Sequence, residues 1–156
     1  MVRKAWKGAL ASLLLLSSAA ILSAQQQPKF DGTWQMNPDK SHVSDGRVLT
    51  ITISTVNDGI KINVKTHKSD GTDTTTEFTS QLNGKACEMS EQGHTSKLTV
   101  WYDGPTLNAC KENGPPGDVS SLWKFELSAD KQTMTMRIAH YEPIADDETL
   151  VFTKKS

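Results

Sequence analysis

Residues 49–64 decide the fold class of this chain, and they read LTITISTVNDGIKINV. Leu49, Ile51 and Ile53 alternate with polar residues, and the alternation resumes after Asn57-Asp58-Gly59. An apolar residue at every second position is typical of a β-strand with one buried face. Asn and Gly adopt the backbone angles that a tight hairpin requires. The stretch therefore predicts two antiparallel strands joined by a hairpin.

The same alternation recurs along the rest of the chain, around Val100, Met136 and Phe152. Turn signals such as Asn-Gly and Asp-Gly separate the apolar runs, and the short spacing leaves no room for crossover helices. A sheet of nine or ten short strands must curl or split, so both a barrel and a sandwich fit the periodicity. The regular succession of hairpins favours an all-β, antiparallel up-and-down β-barrel of roughly 8–10 strands over residues 30–156.

The N-terminus has the three parts of a cleavable secretory signal. Arg3, Lys4 and Lys7 precede an apolar run, and small residues end at Ala24. A membrane anchor is the alternative, but the run is interrupted by serines and no cysteine near the cut offers a site for acylation. We therefore predict a signal peptide over residues 1–24, a flexible N-terminus over residues 25–29, and a secreted or periplasmic protein without a transmembrane anchor.

The charge of the exported part argues against polyanionic partners. Removing the three cations of the signal leaves 14 Lys and Arg against 18 Asp and Glu, a net charge of −4. Nucleic acids and anionic membranes are bound through basic patches, and none is visible in the sequence. Nucleic acid is therefore not expected as a partner.

Cys87 and Cys110 are the two cysteines of the chain. A pair of cysteines in an exported protein is usually a disulfide, so we predict a bridge between them. In a strict meander, however, residues two strands apart lie about 9.6 Å from each other, whereas bridged Cα atoms lie within about 7 Å. The bridge thus requires residues 85–90 to leave their strand position; otherwise the two thiols are free.

The first predicted strand carries the most distinctive motif of the chain. Residues 30–41 read FDGTWQMNPDKS, and the Gly32-Thr33-Trp34 core of this motif resembles the first strand of lipocalins and other calycin barrels. The longer motif is similar to that of small secreted bacterial lipocalin-like proteins. The resemblance implies a barrel in which the tryptophan packs at the closed end beneath a cationic side chain, here Lys154 or Arg137. Gly32 is expected to permit a close backbone approach.

The resemblance has limits that bear on function. Lipocalins carry a helix after the last barrel strand, and this chain ends a few residues beyond Phe152. Avidins begin in a similar way, but Met36 and Lys40 stand where the avidin pattern places ligand-binding residues. Biotin binding is therefore not implied, and a barrel fold does not by itself carry an activity.

Catalytic and metal-binding motifs are not visible. The four histidines, at positions 42, 67, 94 and 140, lack metal-ligand spacing, and Asp146-Asp147-Glu148 is interpreted as a solvated run in a loop. No nucleophile elbow or phosphate-binding loop is present. We therefore predict no metal, no cofactor and no catalytic residues. An enzyme of the calycin type is the third hypothesis, which a His and carboxylate pair inside a cavity would favour.

One strand pair offers a candidate ligand site. Its apolar positions form a soft inner face, and His140 is the polar residue nearest its end; the candidate residues are Trp123, Phe125, Met134, Met136, Ile138 and His140. Methionines fill irregular pockets, but they also fill ordinary cores. A hollow barrel would also use Ile51, Ile62, Phe78 and Val100.

We predict an exported, non-catalytic protein that binds a small apolar or amphipathic ligand. The alternative is a cell-envelope or extracellular interaction protein with a packed barrel, in which Trp101 faces outward.

Overall fold

A computed structural model describes residues 27–91 and 93–156 of the chain. The signal predicted for residues 1–24 lies outside this range. The described part is a succession of ten antiparallel strands. They are β1 (Gly32–Met36), β2 (Val48–Val56), β3 (Gly59–His67), β4 (Asp73–Gln81), β5 (Ala86–Glu91), β6 (His94–Asp103), β7 (Thr106–Glu112), β8 (Val119–Leu127), β9 (Thr133–His140) and β10 (Glu148–Lys154). A 3₁₀ turn, Pro38–Lys40, follows β1.

The ten strands form one sheet that closes almost completely on itself. The hydrogen-bonded order is β4-β3-β2-β1-β10-β9-β8-β7-β6-β5, so neighbours along the chain are neighbours in space and β1 pairs with β10. Strands β4 and β5 are the two edge strands of this sheet, and in the described part of the chain no hydrogen-bonded pairing joins them to each other. The predicted up-and-down barrel is confirmed. Within residues 27–91 and 93–156, no helix has the length and apolar character needed to span a bilayer.

Period-two alternation places the apolar side chains inside the barrel. In β2, Leu49, Ile51 and Ile53 are buried while the intervening threonines are not. In β10, Leu150 and Phe152 have no exposed surface. Because successive side chains in a strand point to opposite faces, each strand contributes one buried row to the core. The outward position predicted for Trp101 agrees with its half-buried side chain beside the fully buried Val100.

The hairpin that joins β2 and β3 uses its residues differently from what the sequence suggests. Asn57, not the glycine, has the positive φ, +45°. Gly59 is required for a close approach instead, because a Cβ atom there would lie 2.5 Å from the carbonyl oxygen of Ser80 on β4. The glycine therefore permits tight pairing of β3 with β4.

The closed end of the barrel is filled by aromatic side chains. Trp34 is fully buried, and its Nε1 donates to the carbonyl of Phe30 at 2.8 Å. Lys154 Nζ lies 5.3 Å from the centre of the Trp34 ring, so Lys154 is the cationic partner of the tryptophan. Arg137 instead pairs with Glu126 on the outer wall. Tyr102 donates from its hydroxyl to the carbonyl of Pro28 and so fastens the chain that leads into β1.

Gly32 has a more specific role than the one expected. Its φ is +135°, and a Cβ atom there would lie 2.6 Å from Cε of Lys154. The close neighbour is thus the aliphatic part of a side chain and not a backbone. Gly32 leaves the space through which Lys154 reaches the Trp34 ring.

The predicted disulfide is not formed. Cys87 and Cys110 are both free, on β5 and β7, with β6 between them. Cys87 opposes Leu98, an interior residue, whereas Cys110 opposes Thr99, the next residue along β6. Adjacent residues of a strand point to opposite faces, so the two thiols lie on opposite sides of the wall. Residues 86–91 keep their strand position, which leaves the thiols too far apart to bridge.

Candidate functional site

The barrel interior contains a cavity near its open end. Its volume is about 120 Å³. Most of its lining is apolar, and it is contributed by strands from both sides of the unpaired boundary between β4 and β5; the lining residues are Arg47, Leu49, Ile51, Ile62, Val64, Thr66, Thr76, Phe78, Met89, Glu91, Trp123, Phe125, Met136 and Ile138. Two charged side chains, Arg47 and Glu91, stand at the rim of this otherwise apolar space.

A polar vestibule of about 380 Å³ lies above the cavity. The two spaces share Arg47, Thr66, Glu91, Trp123 and Ile138 as lining residues, so they adjoin each other. The vestibule is completed by the loops that connect β1 to β2, β3 to β4, β7 to β8 and β9 to β10. This end of the barrel is therefore the mouth, and Trp34 marks the opposite end.

The structure brings together most of the predicted ligand-site residues. Trp123, Phe125, Met136 and Ile138 line the cavity. Met134 does not, although it shares their face, because it lies one pleat deeper and is packed without exposed surface. Of the other expected lining positions, Ile51, Ile62 and Phe78 line the cavity, whereas Val100 is packed solid.

His140 lines the vestibule and not the cavity. Its Nε2 lies 3.5 Å from a carboxylate oxygen of Glu148 on the neighbouring strand β10. The ring thus lies at the mouth, next to a buried carboxylate.

The interpretation of Glu148 as a solvated loop residue was wrong. Glu148 begins β10 and is only 3% exposed. Arg47 contacts both of its carboxylate oxygens, at 3.1 Å and 2.5 Å, and the backbone N–H and hydroxyl of Ser44 donate to one of them. Arg47 also pairs with Asp45 at 2.8 Å. These contacts fasten the loop between β1 and β2 to the start of β10.

The protonation of Glu148 follows from these neighbours. Burial by itself would raise the pKa of this carboxyl, but the hydrogen bonds from Arg47 and Ser44 outweigh burial and hold its pKa below the ordinary value. In the same way, burial works against the charge of Arg47, and the two carboxylates more than compensate and raise its pKa. The pair is therefore ionised at neutral pH.

A second ion pair lies across the mouth. Lys111 on β7 contacts Glu91 on β5 at 3.3 Å, with side chains that are 19% and 42% exposed. In the same region, the Ser96 hydroxyl donates to Asn113 at 2.9 Å, and Trp123 Nε1 donates to the Ser121 hydroxyl at 2.9 Å. The polar groups near the mouth are thus largely engaged with one another.

Arg47, Glu91 and Lys111 were not among the predicted site residues, although the sequence contains a signal for each. Each lies two residues beyond the last apolar residue that points inward, and so on the same face. Arg47, for example, precedes Leu49 and Ile51 in this way. A charged residue at the end of an inward row was therefore the missed indication of a polar mouth. Within the described ranges, no group of three potential ligands is placed to hold a metal ion.

Comparisons with known proteins agree with this geometry. The structure is similar to fatty-acid-binding protein 1 of Echinococcus granulosus, with a TM-score of 0.61 and 12% identity, covering 81% of this chain and 98% of that one. It is also similar to human cRBP IV, with a TM-score of 0.57, 12% identity, and coverage of 82% and 99%. The fold of this chain is a calycin-like β-barrel.

A third similar structure is the fluorescent protein UnaG, with a TM-score of 0.55 and 16% identity, covering 81% of this chain and 97% of that one. No family model matches the sequence, and no curated protein matches it. At these identities the likeness extends to the fold of the barrel and no further. The function of this barrel must therefore be inferred from its own residues.

Proposed function

We propose that this protein is an exported, non-catalytic binding protein that holds a small amphipathic molecule in its barrel. The observation that carries the proposal is the apolar cavity that adjoins a polar vestibule, with Trp123 and Ile138 shared by both. A mostly apolar concave site with a few polar groups at one end is the usual form of a small-molecule site. The apolar part of the ligand would lie among Ile62, Phe78 and Met136, and its polar end would lie in the vestibule.

The size of the cavity limits the ligand. Its volume, about 120 Å³, is smaller than that of most ligand pockets, which begin at about 300 Å³. An apolar cavity of about 150 Å³ is large enough for benzene in another protein. The enclosed part of the ligand is thus comparable to one aromatic ring or a short alkyl chain, and the remainder would occupy the vestibule.

Filling the cavity provides the test. We expect Met136→Trp to abolish binding of N-phenyl-1-naphthylamine, a neutral dye whose emission rises in an apolar site, because the indole would occupy the cavity space. The matched control is Thr135→Trp, which places the same side chain on the outer face of β9 and should leave binding unchanged. Fluorescence titration measures binding, and circular dichroism melting establishes that both variants are folded.

The outcome that contradicts the proposal is equally specific. If the wild-type protein binds no dye and Met136→Trp only lowers the melting temperature, the interior is a packed core. Overpacking such a core typically costs about 1–3 kcal/mol of stability. The alternative, an interaction protein that binds partners through its outer wall, would then take precedence.

Export is supported by the basic head, apolar run and small residues of the N-terminus. We expect N-terminal sequencing of protein collected from the secretory compartment to begin within a few residues of Gln25. Exported protein that retains Met1 would contradict cleavage, and protein confined to the cytoplasm would contradict export.

A further inference from the structure

Two of the three Lys and Arg side chains at the mouth are paired with carboxylates before any ligand arrives. Arg47 is paired with Glu148 and Asp45, and Lys111 is paired with Glu91. The vestibule is lined in all by three basic side chains, Arg47, Lys68 and Lys111, and by three carboxylates, Asp45, Glu91 and Glu142. Glu148, behind Arg47, adds a fourth negative charge. The mouth therefore offers no excess of positive charge to a ligand.

From this arrangement we infer that the polar end of the ligand is uncharged, such as a hydroxyl, ester or amide, and that Glu148 and Glu91 exclude a free carboxylate by occupying Arg47 and Lys111. The inference rests on the proposed function and narrows it to a class of ligand. It makes the two glutamates specificity-determining residues.

A ligand carboxylate is excluded strongly because the Arg47–Glu148 ion pair is buried. An anionic group that bound Arg47 would have to displace Glu148, whose carboxylate is 3% exposed and would be left without its partner. A buried charge without a partner is strongly unfavourable. An anionic group that did not displace Glu148 would lose part of its hydration beside carboxylates that repel it. A neutral polar group meets neither penalty.

The remaining polar groups suit such a ligand. Thr66 and Thr76 line the cavity, and Ser120 and Ser121 line the vestibule. Hydroxyl groups donate and accept hydrogen bonds, so they match a ligand hydroxyl or carbonyl without supplying charge.

Displacement of N-phenyl-1-naphthylamine by decan-1-ol and by decanoate tests the inference. The titrations are run at pH 8, where decanoate is ionised. An alcohol enters any apolar site more readily than a carboxylate. The deciding quantity is therefore the change in the ratio of the two displacing concentrations between wild type and variants.

We expect Glu148→Gln and Glu91→Gln each to shift that ratio by about tenfold in favour of decanoate, because each variant removes a carboxylate that pairs with Arg47 or Lys111. Glu126→Gln is the matched control, since it removes the carboxylate of an Arg–Glu pair on the outer wall, and it should leave the ratio unchanged. Glu91 is 42% exposed, so its variant is expected to fold normally and to decide the question if Glu148→Gln unfolds.

Three results would contradict the inference, and they are distinguishable. Tighter binding of decanoate than of decan-1-ol by the wild type would overturn it while leaving a ligand-binding barrel. Ratios in the Glu91 and Glu148 variants equal to that of the Glu126 control would overturn the role of the glutamates. If the wild type does not bind the dye at all, the proposed function fails, and the inference fails with it.

Discussion

Replacing Trp34 with alanine is expected to lower the free energy of unfolding by about 3–5 kcal/mol, the usual loss for a large buried aromatic side chain. Trp34 has no exposed surface, so its removal leaves a cavity at the closed end of the barrel. The Phe30 carbonyl would lose its hydrogen-bond donor, and Lys154 would lose the ring beneath it. Both losses add to the effect of the cavity.

Urea denaturation of the wild type and the variant measures this loss. Trp101→Ala is the control, because it removes the same side chain from the outer wall, where it is half-buried next to the fully buried Val100. We expect the Trp101 variant to lose clearly less stability than the Trp34 variant. Equal losses would show that Trp34 does not act as the plug of the closed end.

Replacing Glu148 with glutamine is expected to lower the free energy of unfolding by about 2–4 kcal/mol at pH 7. Removing one partner of a buried ion pair typically costs about 3–5 kcal/mol, and the partial exposure of Arg47, 20%, reduces the cost somewhat. Glutamine retains the shape of the side chain and can still accept from Ser44, so the loss reports on the charge. Glu126→Gln, on the exposed pair with Arg137, should change stability by less than about 1 kcal/mol.

The pH dependence of this loss identifies the carboxylate as its source. The pKa of Glu148 is lower in the folded protein than its ordinary value, so ionised Glu148 favours the folded state. That contribution is complete above the pKa of the unfolded chain, about 4.3, and is lost as the pH falls through the lower folded pKa. The difference between the wild type and Glu148→Gln should therefore shrink in strongly acidic solution. A difference that is independent of pH would contradict the ion-pair explanation.

Much of the fold follows from local sequence. The hairpin in residues 49–64 was predicted from alternation and turn residues because both are properties of neighbouring residues in the chain. Alternation likewise placed Trp123, Phe125, Met136 and Ile138 inside, where they line the cavity. The choice between barrel and sandwich was not local. It depended on the pairing of β1 with β10, whose residues are more than 100 positions apart.

Two predictions were wrong because they considered residues without the strands that lie next to them in the barrel. Glu148 belongs to an acidic run that suggested a solvated loop, yet its partner Arg47 lies about 100 residues away in the sequence, immediately before β2. The disulfide was predicted from the compartment. Its absence follows from the intervening strand β6, which places Cys87 and Cys110 on opposite faces of the wall. Both outcomes depend on the register of strands that are distant in the sequence.

The alternation of apolar and polar residues was enough to predict which side chains point into the barrel, because the pleat alternates with every residue and does not depend on the partner strand. Which of the inward-pointing residues line the cavity depended on the tertiary structure. Met134 and Met136 share one face of β9, yet only Met136 borders the cavity. Tertiary structure also decided that Lys154 and not Arg137 covers Trp34, and that Arg47 meets Glu148. The physical reason is that empty space and ion pairs depend on how the sheet closes and in what register, and these are properties of the whole barrel and not of any strand.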